Sequence, residues 1–129
     1  MNKIAIVTDS TSDIPENLAQ ELGISIVPAI LILDGQEYLD GESITREEYY
    51  DRLPTFSPPP TTSAPSSGMF ASMYQDLFQK GYDLICSVHA ASTLSGIYNA
   101  ARVAAEGFKN RVTVIDSGQI TLGLGFQVI

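Results

Sequence analysis

The fold turns on one stretch near the N-terminus, Lys3-Ile4-Ala5-Ile6-Val7-Thr8-Asp9-Ser10-Thr11-Ser12-Asp13-Ile14-Pro15. Its first six residues make a short apolar run, the pattern of a buried strand, and the run ends in a polar cluster from Asp9 to Asp13. A strand that delivers its carboxyl end to a polar loop is the opening unit of a parallel α/β sheet. Asp13 is placed to cap the following helix, with Pro15 in its first turn, Glu16 to Leu22 as its body and Gly23 as its stop. A second strand, Ile24 to Val27, begins at once.

Beyond Pro28, the run Ala29 to Leu33, the turn Asp34-Gly35 and the segment Glu37 to Leu39 predict an added hairpin. Thr45 followed by Arg46-Glu47-Glu48 forms a capping box for a helix from Arg46 to Leu53. Pro54 to Pro65 then holds five of the seven prolines and ends in a hydroxyl cluster, the composition of a positioned functional loop or a linker. Met69, Phe70, Met73, Leu77 and Phe78 stand at helical spacing between Ser66 and Lys80, with Gly81 as the stop. A strand from Asp83 to Val88, a loop over His89 to Thr93, a helix from Leu94 to Glu106 and a strand from Val112 to Ile115 follow. No internal repeat is present. The expected architecture is α/β: a mostly parallel sheet with helices on both faces, three layers deep, with an added hairpin.

The chain has 129 residues, 44% hydrophobic, 17% charged and 9% aromatic, a composition that excludes a disordered, collagenous or heptad-rod protein. A chain of this size buries roughly two thirds of its unfolded surface, enough for one core, so residues 1-129 read as a single domain. Thr121 to Ile129 starts an apolar helix and stops without a polar end or a Gly or Pro terminator, so the chain is expected to be cut short. Seven Lys+Arg against 15 Asp+Glu give a net charge of −8, which repels polyanions and argues against nucleic acid as a partner. The longest apolar stretch, Val27 to Leu33, is far below the roughly 20 residues of a transmembrane segment, and the N-terminus reads as a strand without a cleavable signal. A cytoplasmic protein is expected, and the lone Cys86, inside an apolar run, is expected to pack as a small hydrophobe.

In open parallel sheets, ligands bind beyond the carboxyl ends of the strands. Four polar clusters qualify: Asp9 to Asp13, Thr61 to Ser66, His89 to Gly96, and Asp116-Ser117-Gly118. Three are dominated by neutral hydroxyls beside expected helix N-termini, where free N–H groups and the helix dipole favour a carboxylate or phosphate. Each single Ser or Thr can equally be a helix cap. Asp9 and Asp13 read as cap or turn residues rather than a metal pair, since no further acid or His stands near them in sequence. His89, the only histidine, reads as a hydrogen-bonding partner of the backbone, and Asp116 as an anchor for its own loop. Phosphate-loop, dinucleotide, nucleophile-elbow and Cys/His metal signatures are all absent, which favours a binding module for a small anion with no catalytic residue and no metal of its own.

Taken in order, Ile6 to Pro15, Pro60-Thr61-Thr62-Ser63-Ala64-Pro65-Ser66 and Ser92-Thr93-Leu94-Ser95-Gly96-Ile97-Tyr98 resemble the DegV family of fatty-acid-binding proteins, over Lys3 to Ile129. The resemblance implies the N-terminal domain of a two-domain bacterial protein that encloses one long-chain fatty acid. It further implies that the protein presents the carboxylate to a fatty acid kinase, which makes acyl phosphate for lipid synthesis. Family members run to about twice this length, so the second, tail-enclosing domain is expected to be missing. The carboxylate-binding hydroxyls implied are Thr62 and one of Ser92 or Ser95, with Thr61 and Ser63 as second choices. The chain departs from the family pattern at Ala64, where Gln is common, at Ala91, where a hydroxyl residue is common, and at Ile97, where Thr is common. No cofactor is implied beyond the bound fatty acid. Two other readings remain open: a small phosphotransferase or phosphatase with Asp9 as nucleophile, and an assembly role through the acidic surface and the Pro54 to Pro65 loop.

Overall fold

The computed structural model describes residues 1–129. Four parallel strands, β1 (Ile4–Asp9), β2 (Ile24–Val27), β6 (Leu84–His89) and β7 (Val112–Asp116), form the main sheet in the order β2-β1-β6-β7. The chain steps from β1 outward to β2 and later returns to the other side of β1 with β6, so the strand order reverses between β1 and β6. Crevices at such a reversal are where open α/β sheets hold their ligands.

Helices cover both faces, as expected. Ala5, Val7, Val27 and Ile85 point to one face, where Phe70, Tyr74 and Leu77 of α3 (Ser67–Gln79) and Ile97, Ala101 and Ala104 of α4 (Ile97–Ala105) complete the principal core. On the opposite face Ile6, Ile24, Cys86 and Val88 pack with Leu124 and Val128 of α5 (Leu122–Val128). Cys86 thus packs as a small hydrophobe. Each large side chain removed from water here contributes about 1.5–3 kcal/mol, so the Phe70–Tyr74–Leu77 stripe is a major share of the driving force. The helix α1 (Glu16–Leu22) lies beside β2 and ends as expected at Gly23, whose φ of +67° only glycine adopts without strain.

The hairpin β3 (Ile30–Leu33) and β4 (Gln36–Leu39) forms as the Asp34-Gly35 turn requires, with Leu33 opposite Gln36. It does not extend the main sheet. It pairs instead with a strand the proline content conceals, β5 (Thr61–Ser63), in a separate antiparallel sheet of order β4-β3-β5. The end of the Pro54 to Pro65 segment is therefore a strand rather than a loop. Its register sets Thr62 opposite Leu31. The helix α2 (Arg46–Arg52) begins with the capping box: Thr45 accepts from the Glu48 N–H and Glu48 accepts from the Thr45 N–H. Leu33, Ile44 and Phe56 close a small core beneath the hairpin.

Two local expectations are corrected. Asp13 does not cap α1, whose first turn follows Pro15 without a side-chain cap; Asp13 adopts φ +56° at the end of a 3-10 turn over Ser10–Ser12 and pairs with Arg46 instead. The fourth helix begins at Ile97 rather than Leu94, because Ser95 folds back to accept from the Ile97 N–H and holds the preceding residues in a turn. Gly125 of α5 has a packing reason: a Cβ there would lie 2.5 Å from the Ser12 carbonyl oxygen. Only glycine lets α5 approach the turn after β1 this closely. Gly125→Ala should therefore lower stability by roughly 1–3 kcal/mol through forced separation of α5 from that turn, read from the midpoint of urea unfolding. An unchanged midpoint would refute the close packing.

Candidate functional site

The strand reversal puts the ends of β1 and β6 side by side, and their last residues form a buried polar chain. His89 Nδ1 lies 2.9 Å from Asp9 Oδ2, and both side chains are 0% exposed. A carboxylate can only accept, so Nδ1 carries the proton. His89 Nε2 lies 2.6 Å from Ser87 Oγ, and Ser87 Oγ lies 2.8 Å from Tyr74 Oη. With a neutral ring every group is satisfied in one direction: Tyr74 donates to Ser87, Ser87 to Nε2, and Nδ1–H to Asp9. Asp9 Oδ2 also accepts from the Ala90 N–H, and Oδ1 accepts from both the N–H and the hydroxyl of Thr11.

Burial pushes the Asp9 carboxyl up, but hydrogen bonds from His89, Thr11 and the Ala90 N–H outweigh it and hold the group below its ordinary value. Tyr74 is pushed up to about 12 by burial, against its bond to Ser87.

Asp9, His89 and Ser87 resemble a nucleophilic triad in connectivity, yet Ser87 is 0% exposed and lies beneath Tyr74, with no path to a substrate. Asp9, whose two oxygens are fully engaged, lacks the free lone pair and access that the phosphotransferase reading asks of it. His89 binds two side chains rather than the backbone, which corrects its expected role. Residue 9 is far from residues 87 and 89 in sequence, so only the strand pairing reveals the chain.

The hydroxyls divide into those held by the protein and those left free. Ser10 Oγ accepts from the Ala29 N–H at 2.9 Å, Ser66 Oγ caps α3 at Met69, and Ser117 Oγ is tied to Gln119. Ser95 Oγ accepts from the Ile97 N–H at 3.2 Å but keeps its own proton to donate. Ser63 Oγ lies 3.5 Å from the Ala64 carbonyl, the outer limit of a hydrogen bond. Thr61, Thr62 and Ser92 are exposed, and their hydroxyls are not among those engaged by protein atoms. The strand and the turn that carry them touch: a Cβ on Gly96 would meet the Ala64 Cβ at 3.7 Å.

Asp116 anchors its own loop, as expected, accepting from the Gly118 N–H at 3.0 Å, and it also holds this turn, accepting from the Ser92 N–H at 3.2 Å. Those bonds hold its carboxyl below the ordinary range. The Ala91 N–H donates to Gln119 O at 2.9 Å. The nearest cation to the β1 loop, Arg46, is already committed: it pairs with Asp13, donates to Ser10 O at 2.9 Å and lies 3.9 Å from Asp40. Burial lowers the Arg46 pKa, but the two acids raise it further, so the guanidinium stays charged.

Fold and site together define an open α/β domain that carries exposed hydroxyls on β5 and on the turn after β6. A family model for the DegV family, described as an uncharacterised protein family, matches residues 3–129, and the chain belongs to that family. It is 44% identical to a DegV domain-containing protein of Caldanaerobacter subterraneus, covering 100% of this chain and 46% of that protein. Among solved structures it superposes on a fatty-acid-binding DegV family protein of Thermus thermophilus with a TM-score of 0.88 at 39% identity, covering 98% of this chain and 45% of the other. It superposes on DegV of Bacillus subtilis, a fatty acid binding protein, with a TM-score of 0.90 at 29% identity, covering 99% and 45%. The chain thus spans a little under half the length of these relatives.

Because folding holds Asp9 below its ordinary value, the buried chain stabilises fully above about pH 4, where the unfolded Asp is also ionised, and this contribution is lost as pH falls through the depressed folded value. Asp9→Asn should flatten that acid dependence and cost roughly 1–3 kcal/mol at neutral pH, because the amide nitrogen cannot accept and leaves a buried donor unsatisfied. Tyr74→Phe should cost only about 1 kcal/mol and keep the acid dependence. Urea unfolding from neutral to acid pH measures all three, and equal acid slopes in parent and Asp9→Asn would remove the assignment.

Proposed function

We propose that this domain binds the carboxylate of a long-chain fatty acid, with Thr62 and Ser92 as principal donors, Ser95 as a further donor, and Thr61 and Ser63 at the margin. The observation that carries the reading is the set of unengaged hydroxyls on β5 and on the turn after β6, Thr62 and Ser92 among them, borne by two segments that meet at Ala64 and Gly96. The fatty-acid-binding structural neighbours support the ligand class. The length those relatives have beyond the matched region supports a second domain that encloses the tail, with residues 1-129 as the N-terminal head-group half.

In this reading the domain is not itself catalytic. It presents the acid to a fatty acid kinase for acyl phosphate formation and lipid synthesis in the bacterial cytoplasm; no helix is long and apolar enough to cross a membrane. About 15 buried methylene and methyl groups at about 0.8 kcal/mol each supply on the order of 12 kcal/mol, against about 1.5–3 kcal/mol for a charge-assisted hydrogen bond to the head. The tail therefore provides most of the affinity, and the hydroxyls decide which end faces out.

Thr62→Ala and Ser92→Ala should each keep the fold and weaken fatty acid retention by roughly tenfold to a hundredfold. Mass spectrometry of ligand extracted from gently purified protein, with melting curves as the folding control, measures this. Retention unchanged in both variants would remove the head-group assignment. Transfer of phosphate from ATP to the bound acid on addition of a fatty acid kinase tests the partner.

A further inference from the structure

The small sheet is a unit of its own. Its core of Leu33, Ile44 and Phe56 shares no residue with the two cores of the main sheet. Residues 30–63 leave the body of the domain after Ala29 and return to it at Ala64. Ile30 lies opposite Ser63, so the two crossings stand side by side at one end of the β3–β5 ladder, as the two leaves of a hinge do. Away from that edge the seam is unpacked. A cleft of about 610 Å³ separates Ala19 and Ile26 of the body from Gly41 and Glu42, and one of about 260 Å³ separates Ile120 and Thr121 from Leu31 and Tyr49. Apolar packing thus leaves the angle of the small unit open, and polar ties must set it.

Those ties converge on the turn after β1. At the first crossing, Ser10 Oγ accepts from the Ala29 N–H at 2.9 Å. Across the seam itself, the only side-chain hydrogen bonds come from Arg46, the first residue of α2. One of its terminal nitrogens pairs with Asp13, and the other donates to the Ser10 carbonyl at 2.9 Å. A planar fork meets two acceptors at once, which the point charge of a lysine does not reproduce. The anchor is firm, because Asp9 accepts from both the N–H and the hydroxyl of Thr11 in the same turn.

The free hydroxyls lie on opposite sides of this hinge. Thr62 rides on the small unit, whereas Ser92 belongs to the body, its N–H held by Asp116. Their spacing follows the angle of the small unit, and a hydrogen bond tolerates only about 0.5 Å of donor–acceptor distance. We propose that Arg46 is a positioning residue for the carboxylate: by latching the small unit to the β1 turn it sets the spacing of Thr62 and Ser92 without touching the ligand. The proposal rests on the head-group reading and adds to it a residue outside the hydroxyl site.

Spin labels at Glu37→Cys on β4 and Glu21→Cys on α1, both exposed positions, with Cys86→Ala as background, read the hinge directly. Pulsed electron resonance should give one narrow distance with Arg46 in place and a shifted or broadened distribution in Arg46→Gln, with Arg46→Lys between them and melting curves as the folding control. Titration with palmitate should show Arg46→Gln weakened roughly threefold to tenfold. Since Arg46 acts through Thr62, its loss should weaken binding no further in Thr62→Ala. Asp13→Asn, which removes the partner and keeps the guanidinium, serves should Arg46→Gln fail to fold. An unchanged distance in the folded variant overturns the latch. Losses that add in full with Thr62→Ala, or palmitate binding unchanged by Arg46→Gln while Thr62→Ala weakens it, overturn the positioning role. If neither variant alters palmitate binding, or the parent binds none, the head-group reading falls and takes the positioning role with it, whatever the distances show.

Discussion

The structure is organised around a carboxylate that has been taken out of water. Asp9 sits at the reversal of strand order, where β1 and β6 end together, and an ionised group there is tolerable only if each lone pair meets a donor. Four donors do so, from His89, Ala90 and Thr11. Each draws a different part of the chain inward. Thr11 fixes the turn after β1, Ala90 fixes the exit of β6, and His89 carries the chain through Ser87 to Tyr74 on α3. Phe70 lies edge-on to the same ring with centroids 5.0 Å apart, so the helix that fills the main core also closes the polar chain from above. Satisfying one buried charge therefore fixes the turn after β1 and the exit of β6 against the main core.

This constraint separates two populations of hydroxyl that look alike in sequence. Ser10, Ser66 and Ser117 are consumed in holding loops and caps, which is what a short polar side chain next to free backbone groups does by default. Thr62 and Ser92 are spared because their own loops are held by other means. Ladder pairing with β3 fixes Thr62, and Asp116 takes the Ser92 N–H and leaves its hydroxyl free. A recognition group needs this arrangement: the backbone rigid, the side chain uncommitted.

The elements that the sequence makes legible are those whose signals are local. The capping box at Thr45, the Asp34-Gly35 turn, the Gly23 stop and the apolar spacing of α3 each act within a few residues, and each lies where the pattern puts it. What escapes is long-range. Asp9 and His89 are 80 residues apart, so nothing near either announces the other. Asp13 satisfies every local rule for a helix cap and is taken instead by Arg46, 33 residues on, because a charged partner outcompetes a neutral cap. β5 is hidden by its prolines, and only a partner strand with a free edge makes three exposed residues a strand. The hydroxyl clusters are legible as clusters; which members remain free follows only from the tertiary bonds that use up the rest.

Under the proposed function, a carboxylate site built from neutral donors has a chemical consequence that a cationic site lacks. A guanidinium would bind the head group more tightly, yet it would draw charge out of the oxygens and occupy the lone pairs that must later attack a phosphoryl group. Arg46 is the cation nearest the β1 loop, and Asp13, Asp40 and the Ser10 carbonyl hold it away from that task. Under the proposed function, hydroxyl donors orient the acid and leave its oxygens nucleophilic, while affinity comes from the apolar tail, which takes no part in the chemistry. Binding strength and reactivity are thereby assigned to opposite ends of the ligand, so lengthening the tail tightens binding without making the head harder to transfer.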